Sequence, residues 1–240
     1  MTKKSFADFY DEISSKSEAK NRAEKVLKYI SKYHSNARTV LELGTGNGNV
    51  LINFPGKYEL YGLDIERKYV KLTRQKLPKA HLWTSSMHNF KINKKFDVIF
   101  SVFDSINFLK DISQWEETFR TVYNHLNENG LFIFDMYTEK VLKNNKGKPA
   151  SFWSEQFGFA SDEGIVEGNH LKWKFKIFEK TKGDNYRLHN FEFNERIFPS
   201  KLVESKLKKY FNILEKRDWE NMGSPNENSL RILYVLGRKK

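Results

Sequence analysis

Four residues with chemical potential stand close together in the stretch LELGTGNGN: Glu42, Gly44, Gly46 and Gly48. Glycine loses more freedom on ordering than other residues, so three at alternate positions mark a sharp backbone turn or a close approach by a ligand. A carboxylate beside that turn narrows the choice of ligand. It repels a pyrophosphate and suits a group that carries positive charge. A second acid, Asp64, follows Gly44 by twenty residues, the interval at which nucleotide-binding α/β folds place the partner of a ribose. A carboxylate that accepts both ribose hydroxyls is a strong, oriented contact. Two phosphate motifs are excluded. No Gly-Lys-Ser/Thr follows the turn, so it is not a P-loop. The third glycine, Gly48, comes one residue early for the dinucleotide fingerprint, and position 49 is Asn.

These residues need a frame, and the hydrophobic pattern supplies one. Residues 5–15 and 18–33 have apolar residues at helical spacing. Residues 39–43 form a short apolar run and predict a buried strand that delivers Glu42 to the turn. NVLINF then predicts a helix directly after the glycines. YELYGLD (58–64) predicts a second strand ending in Asp64, followed by a basic helix over 66–77 that stops at Pro78. AHLW (80–83) and FDVIFSVF (96–103) predict the third and fourth strands. A helix over 112–126 follows, and LFIFDMY (131–137) predicts the fifth strand. Strands alternating with helices imply a parallel sheet covered on both faces, with its ligand site at the carboxyl ends of the strands.

Beyond residue 148 the period changes to two. FWSEQFGFA, HLKWKFKIFEK and YRLHNFEFNERIF predict a three-stranded antiparallel meander, with turns at Gly164 and at KGDN (182–185). Trp173, Phe175 and Ile177 share one face and Lys172, Lys174 and Lys176 the other. Pro199 opens a helix, and NILEKRDW and LRILYVLGR predict two final strands. The expected division is therefore a Rossmann-like domain from residues 1–149 and 199–240, with an inserted antiparallel sheet at 150–198. That sheet serves as a lid over the substrate or as a dimer element.

Composition sets the limits. The 240 residues are 39% hydrophobic and 15% aromatic, enough for a buried core. There is no cysteine, which excludes disulfides, thiolate metal sites and a cysteine nucleophile. The six histidines show no metal-ligand spacing, so no metal is expected. No apolar run reaches the length of a membrane span and no signal peptide is evident, so a cytoplasmic protein without membrane contact is expected. The net charge of +12 is spread along the chain, which reads as a solvated surface while leaving an anionic partner such as RNA open.

S-adenosylmethionine meets the requirements of the glycine turn and its two acids: it bears an ammonium, a sulfonium and no phosphate. At this point the sequence resembles the class I S-adenosylmethionine-dependent methyltransferases. VLELGTGNG looks like their first motif and LYGLDI like their second. FDVIFSVFDSINFL and LNENGLFIFDMY look like their fourth- and fifth-strand segments. FADFYDEI and FDSINFL are similar to the subgroup acting on small molecules, amino-sugar N-methyltransferases included. The resemblance implies a doubly wound, mostly parallel seven-stranded sheet. It implies that Gly44, Thr45 and Gly46 meet the methionine part of the cofactor, that Glu42 holds its amino group and Asp64 its ribose, and that Ile65 packs on the adenine. Ser86 stands where the family often has an acid for the adenine amino group, and Met87 keeps the apolar place after it. Phe103 flanks the transferred methyl.

Methyl transfer from a sulfonium is an in-line displacement, so alignment is the main requirement and a base assists. Tyr10 and Asp135 are the candidate bases, Asp135 because it lies near the end of the fifth strand. Three functions fit. The first is methylation of a small-molecule amine or hydroxyl, by a monomer or a homodimer. The second is RNA methylation, although the Asn/Asp-Pro-Pro-Tyr/Phe segment typical of exocyclic-amine enzymes is replaced here by FDSI. The third is a non-catalytic S-adenosylmethionine-binding or dimerisation module.

Overall fold

A computed structural model describes residues 4–144, 150–154 and 158–239. It begins with two helices, α1 (Ala7–Ile13) and α2 (Lys16–Tyr33). Ser15 caps α2 by accepting the Glu18 N–H at 3.2 Å. The buried stripe of α2 is Ala19, Arg22, Ala23, Val26, Tyr29 and Ile30, a helical spacing broken chemically by the arginine. Strand β1 (Thr39–Leu43) follows. The helix expected directly after the glycines is reduced to one 3₁₀ turn at Leu51–Asn53. The glycine turn consumes the residues before it, and Pro55 holds Phe54 extended (φ −79°, ψ 134°), which ends helical geometry.

The chain continues through β2 (Glu59–Asp64), α3 (Arg67–Lys76), β3 (His81–Thr84), β4 (Phe96–Ser101), α4 (Ile112–His125), β5 (Leu126–Tyr137) and α5 (Glu139–Asn144). A second group of strands comes next: β6 (Ala150–Ser154), β7 (Gly158–Glu167), β8 (His170–Lys180) and β9 (Tyr186–Arg196). The last elements are α6 (Ser200–Leu207), β10 (Phe211–Asp218) and β11 (Arg231–Arg238).

The large sheet has seven strands in the order β3-β2-β1-β4-β5-β11-β10. β1 to β5 pair in parallel, and β11 runs antiparallel to both of its neighbours. Its strands are apolar on both faces because each face is covered. Phe132 and Phe134 of β5 enter one core with Trp115 and Phe119 of α4. Leu131 and Ile133, the alternate positions, enter the other with Val26 and Ile30 of α2. This is the doubly wound, mostly parallel seven-stranded sheet implied by the sequence.

The small sheet has four antiparallel strands in the order β6-β7-β8-β9, one more than the three expected. The segment FWSEQFGFA contributes to both β6 and β7, and its residues 155–157 lie outside the described residues. The β7–β8 turn is at Gly168 (φ 63°), not at Gly164, which sits inside β7 opposite Trp173. Helix α1 lies between the two sheets. Phe6 packs on Phe175 and Phe193 of the small sheet at centroid distances of 4.8 and 4.7 Å. From α1, Asp11 accepts from Lys76 of α3 at 2.6 Å, and Asp8 pairs with Lys68.

Candidate active site

The glycine turn ends β1 at the carboxyl edge of the large sheet. Gly44, Gly46 and Gly48 all have positive φ (76°, 51° and 78°), a region that side chains with a Cβ disfavour. Space is also limiting: a Cβ on Gly44 would lie 3.0 Å from Ser105 Cβ, and one on Gly48 would lie 2.8 Å from Thr73 Cγ2. The turn is fastened to β2 and α3. The N–H groups of Gly44 and Thr45 donate to the Leu63 carbonyl at 2.8 and 3.0 Å. Asp64 accepts the Gly46 N–H through Oδ2 at 2.8 Å and the Glu66 N–H through Oδ1 at 2.9 Å. Thr73 donates to the Gly46 carbonyl at 2.9 Å.

Beside the turn lies a cavity of about 550 Å³, within the usual range for a small-molecule site. Its wall brings together Tyr10, Glu42, Gly44, Thr45, Gly46, Asp64, Ile65, Ser86, Met87 and Phe103. Asp135 is the one expected site residue not on that wall. Carboxyl groups line the cavity at Glu42, Asp64, Glu66, Asp104, Asp162 and Glu195, and no lysine or arginine is among the described residues that do. The protein is strongly basic, yet its cavity is acidic.

Glu42 is 2% exposed, and its Oε2 has no hydrogen-bond partner. Burial, and then the nearby Asp64 carboxylate, raise its pKa well above the ordinary value. Asp64 is also raised, first by burial, with its backbone hydrogen bonds acting in the opposite sense. Ile65 is 70% exposed although it lies on the cavity wall, so it offers a bare apolar surface. Ser86 Oγ lies 2.6 Å from His88 Nδ1. Tyr10 stands over the turn, its Cε1 3.5 Å from where a Cβ on Gly46 would be. Burial, followed by the Asp104 carboxylate, raises its pKa to about 12. The phenol is therefore neutral at physiological pH, which suits a hydrogen-bond donor better than the base expected from the sequence.

The expectation of a base at Asp135 is corrected by its surroundings. The side chain has no exposure, and three donors hold it: Arg22 Nη1 at 2.8 Å, Arg231 Nη1 at 3.0 Å and the Asp104 N–H at 2.8 Å. It does not line the cavity, although Tyr137, two residues further along β5 and on the same face, does. Its place is behind the wall, where it orients the loop after β4. That loop carries Phe103 and Asp104, both in left-handed backbone (φ 60° and 49°), a strain tolerated where neighbours dictate it. The Arg22 guanidinium lies 3.7 Å from the centre of the Phe103 ring, and Arg231 Nη2 pairs with Asp104 Oδ1 at 2.5 Å.

The sequence reading expected the small sheet as a lid but named none of its side chains as site residues. Trp173, Phe175, Phe193, Asp162 and Glu195 come from the small sheet. A signal for Glu195 was present: it has the parity of Phe191 and Phe193, so it is an acid on an apolar stripe. Arg22 carried the same kind of signal on α2. Among the described residues no group of three His, Cys, Asp or Glu side chains is placed to hold a metal ion, and no helix is long and apolar enough to cross a membrane.

The strand order and the glycine turn define the Rossmann-like fold of S-adenosylmethionine-dependent methyltransferases. Comparison with known proteins agrees. The model of the methyltransferase domain family matches residues 15–173, and the chain belongs to that family. A Geobacillus sp. protein named as a methyltransferase is 24% identical over 144 residues, covering 58% of each chain, so the match spans little more than half of that curated relative. An S-adenosylmethionine-dependent methyltransferase from Clostridium acetobutylicum shares the fold over 97% of both chains, with 24% identity and a TM-score of 0.84. A sugar N-methyltransferase from a Streptoalloteichus species shares it over 100% of this chain and 95% of its own, with 16% identity and a TM-score of 0.83. The cofactor of this class is S-adenosylmethionine, and the residues present fit it. The orphaned buried oxygen of Glu42 suits an ammonium donor, Ile65 suits a flat apolar ring, and the turn is open to close backbone approach.

Proposed function

We propose that this chain transfers a methyl group from S-adenosylmethionine to a small-molecule acceptor, an amine or a hydroxyl. The observation that carries the reading is the acid-lined cavity beside the glycine turn, with Glu42 Oε2 buried and unpaired in its wall. Such a cavity attracts a cation and repels phosphates. That disfavours both a dinucleotide and the phosphate backbone of RNA as its occupant.

In this reading Glu42 holds the ammonium group, and Gly44, Thr45 and Gly46 let the backbone approach the methionine part. Asp64 binds the ribose with the lone pairs that its two backbone hydrogen bonds leave free. Ile65 and Met87 would offer apolar surface to the adenine, and Ser86 would supply it a hydrogen bond. Phe103 and Tyr10 bound the space around the transferred methyl. The bound cofactor supplies an activated sulfonium methyl. The chain's residues align the acceptor with it and exclude water, and alignment of this kind lowers a barrier by about 7–11 kcal/mol. The small sheet, residues 150–198, closes the acceptor side as a lid over the cofactor domain formed by residues 1–149 and 199–240. The similarity to a sugar N-methyltransferase supports an amine as the acceptor.

The test is calorimetry followed by turnover. S-adenosylmethionine and S-adenosylhomocysteine should bind at one site per chain and NAD should not. A panel of small amines, amino sugars and their hydroxyl counterparts should then reveal S-adenosylhomocysteine release with an amine. Binding of NAD without S-adenosylmethionine would overturn the reading, and so would methylation confined to RNA.

A further inference from the structure

The cluster behind the acceptor side of the cavity holds two guanidiniums, Arg22 and Arg231, and three carboxyls, Asp104, Asp135 and Glu195. The first two carboxyls answer the two cations: Asp135 receives both arginines, and Arg231 also pairs with Asp104. Glu195 has no cation of its own. It is 2% exposed, its Oε1 accepts from Trp173 Nε1 at 3.0 Å, and its Oε2 has no donor. It reaches the cavity from β9 while Asp104 reaches it from the loop after β4, so both line the same wall, where the Asp104 carboxyl is a hydrogen-bonding neighbour of Glu195.

We propose that Asp104 and Glu195 form a carboxyl pair that shares one proton and receives the acceptor nitrogen, with Glu195 taking the proton that nitrogen must lose. This rests on the reading of the acceptor as an amine. Burial first, then the Asp104 carboxylate, hold the Glu195 carboxyl well above its ordinary range, while Arg231 and the Trp173 indole act the other way. The other groups facing the pair are fixed. Tyr137 of β5 is kept neutral by burial, Asp135 and Arg22 lie behind Asp104, and Tyr10 of α1 and Asp162 of β7 look onto the same cavity. Two guanidiniums answer only two of the three carboxylates, so a negative charge on Glu195 would stand unmatched beside Asp104; the resting pair therefore carries a proton and the occupied pair carries an ammonium in its place.

The proton count closes. Docking of R–NH₃⁺ expels the shared proton to solvent. One N–H proton then passes to Glu195 Oε2, and the freed lone pair attacks the methyl carbon. The C–N bond forms as the C–S bond breaks, and the electrons of that bond remain on sulfur. The product leaves as R–NH₂⁺–CH₃, and Glu195 keeps the proton of the resting state.

Infrared difference spectra of wild type and Glu195→Gln, each with S-adenosylhomocysteine bound, test the proposal. At neutral pH the wild type should show a buried carboxylic-acid carbonyl band that the variant lacks. Propylammonium should bleach that band with release of one proton, and propanol should leave it intact. In Asp104→Asn, removal of the neighbouring carboxylate should lower the midpoint at which the band titrates by about one pH unit or more. This variant carries the test if Glu195→Gln does not fold. No band assignable to Glu195, or a band indifferent to propylammonium, would overturn the proposal. Calorimetry of S-adenosylhomocysteine is read separately. If that ligand fails to bind, the methyltransferase reading falls, while the band, measured without ligand, still decides the state of the pair.

Discussion

Asp64 Oδ2 accepts the backbone N–H of Gly46 at 2.8 Å, so the acid that closes β2 also fixes the turn that closes β1. The two strands are neighbours in parallel register, with Leu43 beside Leu63. One short carboxylate therefore braces the turn and presents its remaining lone pairs to the cavity. The ribose-binding role proposed for Asp64 is therefore tied to its role in holding the turn.

Replacement shows both roles. Asp64→Ala should weaken S-adenosylhomocysteine binding at least tenfold, about 1.4 kcal/mol. It should also lower stability by about 1–3 kcal/mol, because the Gly46 and Glu66 amides lose their acceptor. Calorimetry and urea unfolding measure the two effects. Undiminished affinity would show that another residue holds the ribose.

Glu42 governs a pH dependence. Its folded carboxyl keeps a proton at pH values where the unfolded chain's glutamate has lost it. The native state thus binds more protons across that window, and stability falls as pH rises from the ordinary glutamate value toward the raised one. Glu42→Gln should remove this slope and be more stable than wild type near neutrality. The ammonium of S-adenosylmethionine favours the carboxylate form, so binding should expel a proton and tighten as pH rises. Titrations in buffers of different ionisation heat read this directly. Wild-type binding without proton release would mean that Glu42 does not meet the ammonium.

The frame of the site was legible because it depends on local pattern. The strand at 39–43 was read to the residue, and a parallel sheet covered on both faces followed from the alternation of strands and helices. What escaped depends on contacts between distant segments. Asp135 looked like a rim acid until Arg22 and Arg231, 113 and 96 residues away, were found holding it. Glu195 was hidden in a stripe read as packing, since nothing local says that Asp104 will stand opposite. The helix after the glycines failed for a local reason that was available: Pro55 and Gly56 follow too soon.

Asp135→Ala should cost about 3–5 kcal/mol, because it leaves two buried guanidiniums without their common partner. Asp135→Asn keeps the volume and should cost less. In the folded Asn protein, the pH profile of turnover should keep its shape, since the group lost is a brace and not a base. Urea midpoints and a pH–rate series give the two readings. A profile that lost its acidic limb in the Asn variant would return Asp135 to the chemistry as a base.

The last prediction concerns Phe6, which joins α1 to the small sheet. Its ring meets Phe193, Phe175 and Phe191 at 4.7, 4.8 and 5.3 Å. On its other side α1 is tied to the glycine turn, where Asn47 Nδ2 donates to Asp11 Oδ1 at 2.5 Å and to Ser14 Oγ at 3.0 Å. The helix thus links the small-sheet wall of the cavity to the glycine turn, with Tyr10 between them. An aromatic pair contributes about 0.5–1.5 kcal/mol beyond its buried area, and Phe6→Ala removes these three contacts and a fourth with Tyr10 while leaving the polar ties in place. Glu42, Gly44 and Asp64 belong to the large sheet, so affinity for S-adenosylhomocysteine should fall only a few-fold. Turnover should fall further if, as proposed, the small-sheet wall orients the acceptor. Hydrogen exchange should speed up in residues 7–13 and in β8 and β9, and remain slow in β1 and β2. Equal acceleration in the glycine turn would show instead that the aromatic contact supports the cofactor site itself.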